Sequence, residues 1–231
     1  MLIQKKLLNL LQILAIFCLF QVACTEKDID PTDPSASFAR AREPYDDEMY
    51  EIAVQRLGEF KSRFPYSKHA PDAELMIADA HFKLGQFAEA AAAYEQFVKL
   101  HPRHVQTDFA QFRVGESYWA EAPEEINREQ EYTLKAIVEW EKLVTLFPQS
   151  QNKAKAEEFL KIGKRRVADH YEFIARFYCK QEIYHACAYR YLQLAEQFPQ
   201  FKDLSKKAYE EASRAFQELS KTKSEDEKSD A

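Results

Sequence analysis

The side chains that could do chemistry in this chain are few, and the four cysteines come first. Cys24 closes the stretch AIFCLFQVAC and is followed at once by the charged segment TEKD. Upstream, Lys5 and Lys6 precede an apolar run of fourteen residues, Leu7 to Phe20, broken only by Asn9 and Gln12. A helix needs roughly 20 apolar residues to cross a bilayer core, so this run is short for a permanent span. A positive flank, a short apolar centre and a small residue before a processing point are the parts of an export signal. Here the small residue is Ala23, directly before Cys24. A thiol at such a point is a site for covalent attachment, whereas Cys18 lies inside the signal and should be lost with it.

Cys179 and Cys187 flank the short segment KQEIY. In an oxidising compartment they can pair. Cys187 also stands where the repeat described below calls for a small side chain, so it can equally serve as a small buried hydrophobe. Other chemistry is poorly represented. The chain has no Gly-rich phosphate loop, no HExxH and no Cys pair with zinc spacing. His101 and His104 flank Pro102 without a nearby ligand set and read as surface residues. The carboxylates of EEINREQE, Glu124 to Glu131, read as a solvated face. No catalytic residue, metal or cofactor is expected, although a periplasmic enzyme with an unrecognised site remains a competing class.

The arrangement around Cys24 resembles the lipobox of bacterial lipoproteins, whose cysteine is acylated and becomes the new N-terminus. Gln21 stands where a branched apolar residue is usual. Several acyl chains bury enough methylenes, at about 0.8 kcal/mol each, for stable anchoring. Thr25, rather than Asp, follows the cysteine, which by the same resemblance favours the outer membrane.

Removing residues 1–23 moves the net charge from −6 to −8 and leaves about 208 residues, enough for a substantial core. An acidic balance argues against a nucleic-acid partner. Four glycines, with abundant Ala, Leu, Glu and Lys, suit helices rather than strands. Residues 24–35, polar and proline-containing, read as a flexible tether. Residues 36–220 form the folded body, and the charged tail 221–231 is expected to be disordered.

The elements that must position any site emerge from the prolines. Phe64-Pro65, His101-Pro102, Phe147-Pro148 and Phe198-Pro199 share a pattern. Twelve residues before each proline stands a small side chain, Ala53, Ala90, Ala136 and Cys187. Eight before stands a large apolar one, Leu57, Tyr94, Trp140 and Tyr191. The second unit reads as two helices, Leu75 to Leu84 and Phe87 to Leu100, joined at Gly85. Ala78 and Ala90 are small so that the paired backbones can approach, and Pro102 ends the second helix. This is the tetratricopeptide pattern, with a typical period of about 34 residues. The prolines are spaced by 37, 46 and 51 residues, which predicts an inserted loop at Glu121 to Glu131 and an extended helix within Lys153 to Lys180. The first helix of repeat one is expected to stop before Pro44. A fifth first helix, Lys202 to Leu219, has no partner. The fold class is therefore all-α, a tetratricopeptide-repeat solenoid of about five repeats.

Two stretches, Arg63 to Trp119 and Tyr171 to Pro199, resemble the BamD family of outer-membrane protein assembly lipoproteins, and the resemblance covers nearly the whole mature chain. The most specific segments are FPYS, LHPRH and DFAQFRVGE. The resemblance implies a non-enzymatic scaffold, lipid-anchored in the outer membrane and facing the periplasm. Its implied partners are the periplasmic domains of a BamA-like barrel protein, other assembly-complex lipoproteins and unfolded outer-membrane proteins. An alternative is another tetratricopeptide outer-membrane lipoprotein, pilotin-like or Tol-Pal-associated.

Such arrays bind along the face made by their first helices. By repeat register Asp72, Leu75, Asp79, Phe82 and Lys83 should face that groove, flanked by Phe38 and Arg42 and by Phe112, Glu116 and Trp119. Aromatic pockets with polar anchors suit the alternating strands of a β-barrel client. For Phe82 and Phe112, packing between repeats is the competing role. Arg190 corresponds in position to an arginine of family members and is the candidate partner contact.

Overall fold

The computed structural model describes residues 32–229, and Cys24 with the signal and most of the tether lies outside them. Within the described residues nine α-helices follow in order: α1 (Pro34–Asp46), α2 (Tyr50–Arg63), α3 (Ala70–Lys83), α4 (Phe87–Leu100), α5 (Thr107–Glu121), α6 (Glu131–Leu146), α7 (Lys153–Lys180), α8 (Tyr184–Gln197) and α9 (Lys202–Ser229). No strand occurs among the described residues. Each helix packs on the next in chain order, and α1 also reaches α3. That is the pattern of stacked helical hairpins, the tetratricopeptide solenoid expected from the proline spacing.

The repeat signature has a local cause at each end of the second helices. In α2, α4, α6 and α8 the residue before the proline closes the helix, its amide donating to the carbonyl four residues back: Phe64 to Phe60, His101 to Phe97, Phe147 to Leu143 and Phe198 to Leu194. Proline then blocks continuation. The turn into three of these helices needs a left-handed residue two positions before the first helical aromatic. Gly85 takes it with φ 73°, and Glu48 and Glu182 occupy the equivalent places at φ 59° and 58°.

Ala53, Ala78, Ala90 and Ala136 have no accessible surface, and Cys187 is buried beside them in role. Each sits in a cluster drawing on adjacent hairpins. Ala53 packs with Leu57, Phe60 and Ala73, and Ala78 and Ala90 with Tyr94, Phe97 and Val114. Ala136 packs with Phe112, Trp140 and Leu143, and Cys187 with Ala168, Tyr191 and Leu194. Small side chains thus stand where rods meet, and the large residue four positions later fills the space between hairpins.

The ends of the array differ from the sequence expectation. α1 begins at Pro34, two residues inside the segment read as tether, with Asp33 capping it by accepting from the amides of Ser35 (2.9 Å) and Ala36 (3.3 Å). It does not stop before Pro44. That proline is buried in the last turn, where its missing amide removes a single hydrogen bond, and the chain turns away through Glu48. At the other end α9 is helical to Ser229, well into the segment expected to be disordered. Closely spaced opposite charges, such as Glu218 and Lys221 at 2.7 Å, support that extension.

The two long proline intervals, 46 and 51 residues, are filled by two devices. α7 is one unbroken helix of 28 residues. The loop between α5 and α6 is tied down on it, because the Pro123 carbonyl accepts from Arg166 (3.3 Å) and the Ile126 carbonyl pairs with His170 Nδ1 (2.6 Å).

Candidate functional site

The first helices α3, α5 and α7, with Tyr94 of α4, bring together a polar cluster centred on Arg113. Its Nε donates to the Tyr94 hydroxyl at 3.0 Å, and its Nη1 donates to Glu116 Oε2 at 2.9 Å. A third nitrogen lies 3.5 Å from Asp79 Oδ1. The guanidinium stacks 3.7 Å from the centroid of the Phe82 ring. Tyr94 donates in turn to Asp79, and Lys155 of α7 donates to the other Glu116 oxygen at 2.8 Å. Asp79, Phe82 and Glu116, chosen from repeat register, are therefore one assembly held by an arginine that register did not single out. The signal available in the sequence was the Arg113–Glu116 spacing of three, which puts both on one helical face.

Burial sets the electrostatics of this cluster. Desolvation raises the Asp79 carboxyl above its ordinary value, partly offset by the Tyr94 hydroxyl and the Arg113 charge. The Tyr94 hydroxyl is pushed up, first by burial and then by the neighbouring Asp79 carboxylate. Tyr45 is pushed up to about 12, again mainly by burial with Asp79 next. Every charged member has a partner, as a half-buried network requires.

The remaining groove candidates separate into three groups. Leu75 and Phe112 are corrections: at 4% and 2% exposure they belong to the core between repeats and present no surface to a ligand. Their helical faces point at the neighbouring hairpin, a distinction that spacing alone leaves ambiguous. Phe38 stacks on His69 with centroids 4.8 Å apart, while Arg42 forms an exposed pair with Asp46 at 2.9 Å. Asp72 lies 3.9 Å from His69, and Lys83 is exposed, its charge acting on Asp79. Trp119 belongs elsewhere, beneath Arg166, whose guanidinium lies 3.8 Å from its ring. His101 is not simply a surface residue, since its Nε2 meets Glu74 at 2.7 Å and links α4 back to α3.

Two clefts flank the tethered loop. A cleft of about 630 Å³ runs from Ile126 past Ile162, Arg165 and Arg166 to Phe201. Arg166 there is held below its ordinary value by desolvation. A second cleft, of about 430 Å³, is walled by Leu134, His170, Tyr171 and Ile174 and has Arg190 on its rim. Arg190 donates to Gln193 at 3.1 Å. Cys179 and Cys187 form a disulfide that closes the α7–α8 turn, resolving the choice the sequence left open. Cys187 is at once bridge and small packing residue. Among the described residues no group of three or more His, Cys, Asp or Glu could hold a metal ion, and no helix is long and apolar enough to cross a membrane.

Stacked hairpins with clefts and aromatic–cationic clusters define a helical-repeat scaffold. The chain belongs to the YfiO family, described as outer membrane lipoprotein, whose model matches residues 30–230. It is 23% identical over 219 residues to the outer membrane protein assembly factor BamD of Vibrio cholerae, covering 91% of this chain and 90% of that one. The BamD of Neisseria gonorrhoeae is 28% identical over 168 residues, 66% of this chain and 61% of its own length. Among solved structures, a thermophilic TPR protein of Thermus thermophilus superposes with a TM-score of 0.41 at 18% identity, covering 80% of this chain and 99% of that one.

Proposed function

We propose that this protein is a non-enzymatic scaffold subunit of the machinery that assembles β-barrel proteins into the outer membrane. The observation that carries the reading is the family match across 30–230, nearly the whole repeat array, together with relatives named as outer membrane protein assembly factors. In this reading Cys24 is acylated and holds the array on the periplasmic face of the outer membrane. The Cys179–Cys187 bridge supports an oxidising compartment of that kind.

The cluster of Asp79, Phe82, Arg113 and Glu116 supports the role of a client surface. It offers a stacked aromatic–cation pair and carboxylates along first helices, where an extended chain can lie. The cleft with Arg190 on its rim is the surface for the periplasmic domains of a BamA-like partner. Its apolar walls bury area, and the guanidinium supplies a charge-directed contact.

Pull-down from detergent-solubilised envelopes followed by mass spectrometry tests the function. Recovery of a BamA-like barrel protein supports it, and recovery of a secretin or a Tol component in its place overturns it. Palmitate labelling of wild type and Cys24→Ala tests the anchor, with labelling expected to vanish in the variant.

A further inference from the structure

We propose that the cleft between α1 and α2 is a binding site for the phosphate of an anionic membrane lipid. The cleft has a volume of about 360 Å³ and gathers Arg40, Arg56 and Arg63 around Phe60 and Phe64. Arg56, Glu59 and Arg63 follow one another at helical spacing down one face of α2, so that helix supplies two guanidiniums and α1 the third. The carboxylate in the lining, Glu59, accepts from Gln55 Nε2 at 2.9 Å. The Arg63 guanidinium lies 5.4 Å from the centroid of the Phe64 ring, which limits where it can point. The site is thus locally cationic on a chain whose formal charge is −6. Guanidinium forks match phosphate oxygens two at a time, and the partly exposed Phe64 ring, backed by the buried Phe60, gives the apolar part of a lipid a surface to lie on.

Position in the chain connects this chemistry with a membrane. The cleft belongs to the first hairpin, and Cys24 and Pro34 are ten positions apart in the chain. A segment of that length spans at most about 36 Å. An acyl group on Cys24 therefore keeps the cleft close to the bilayer surface, where clustered arginines collect anionic headgroups. The inference rests on the acylation proposed above.

The test uses the mature protein purified from membranes. It is reconstituted into vesicles of phosphatidylcholine alone or of equal parts phosphatidylcholine and phosphatidylglycerol. Modification of arginines by phenylglyoxal is followed residue by residue by mass spectrometry, with the exposed Arg103 as reference. Arg56 and Arg63 should react several-fold more slowly, relative to Arg103, in the phosphatidylglycerol vesicles only. Equal rates in both vesicles overturn the proposal. Slow reaction in both vesicles shows protection that does not depend on the anionic lipid and overturns it as well. Equal slowing by inorganic phosphate in detergent marks a site for free phosphate and overturns the assignment to a bilayer lipid. The same spectra report the acyl mass on Cys24. Its absence refutes the anchor, whereas protection by anionic vesicles without it would still support the cleft.

Discussion

Gly115 of α5 and Trp140 of α6 meet so closely that a methyl group on Gly115 would overlap the indole. The indole Nε1 donates to the Phe112 carbonyl at 3.3 Å, which fixes the ring where it stands. Gly115→Ala should therefore destabilise the protein by about 1–3 kcal/mol through overpacking. Gly58, in the middle of α2, has nothing within 4 Å of an added Cβ. Gly58→Ala should stabilise by about 0.5–1 kcal/mol through helix propensity alone. Urea denaturation of the two variants checks both signs.

The turn residues make a second contrast. Glu182 takes a left-handed conformation that Gly85 takes without strain. Glu182→Gly should raise stability by up to about 1 kcal/mol, and Gly85→Ala should lower it by about that amount. Thermal unfolding of both variants would show the opposite shifts.

The disulfide closes a short loop, with a sequence separation of 8. Loop-closure entropy for that length is worth about 2.5 kcal/mol. Cys179→Ala should lose about this much, and the wild-type mass under non-reducing conditions should fall short of the reduced mass by two hydrogens.

Asp79 carries a pH signature of opposite sign to most carboxylates. Its carboxyl is raised by burial, so the folded state holds the proton more tightly than the unfolded chain. The contribution of this group is greatest below its unfolded value of about 3.9 and is lost as pH rises through the folded value. The stability of wild type minus that of Asp79→Asn should therefore fall with rising pH across that window. A difference that rises would show that the Arg113 charge outweighs desolvation.

Arg190 is half-buried on a cleft rim, with Gln193 as its hydrogen-bond partner. Arg190→Ala should change stability by no more than about 0.5 kcal/mol while reducing recovery of the BamA-like partner in pull-downs.

How much of this was legible in the sequence follows from the range of each interaction. Ala53, Ala90, Ala136 and the Phe-Pro or His-Pro steps recur at fixed places from one hairpin to the next, and their spacing carried the fold. Arg113 and Arg166 act across repeats, toward Tyr94 at 3.0 Å and toward the Pro123 carbonyl at 3.3 Å. A backbone carbonyl leaves no residue signature, so the docking of the α5–α6 loop could not be foreseen. Leu75 and Phe112 were placed on the right helices but on the wrong side, because neighbouring faces of a first helix differ by one residue in register.

The unbroken α7 gives the molecule a mechanical character. Twenty-eight residues at 1.5 Å each make a rod of about 42 Å without a proline. Gly163, where such a rod would bend most readily, is wedged against Ile137 and Trp119. α7 packs on α6 in front and on α8 behind, so repeats three and four share one stiff beam.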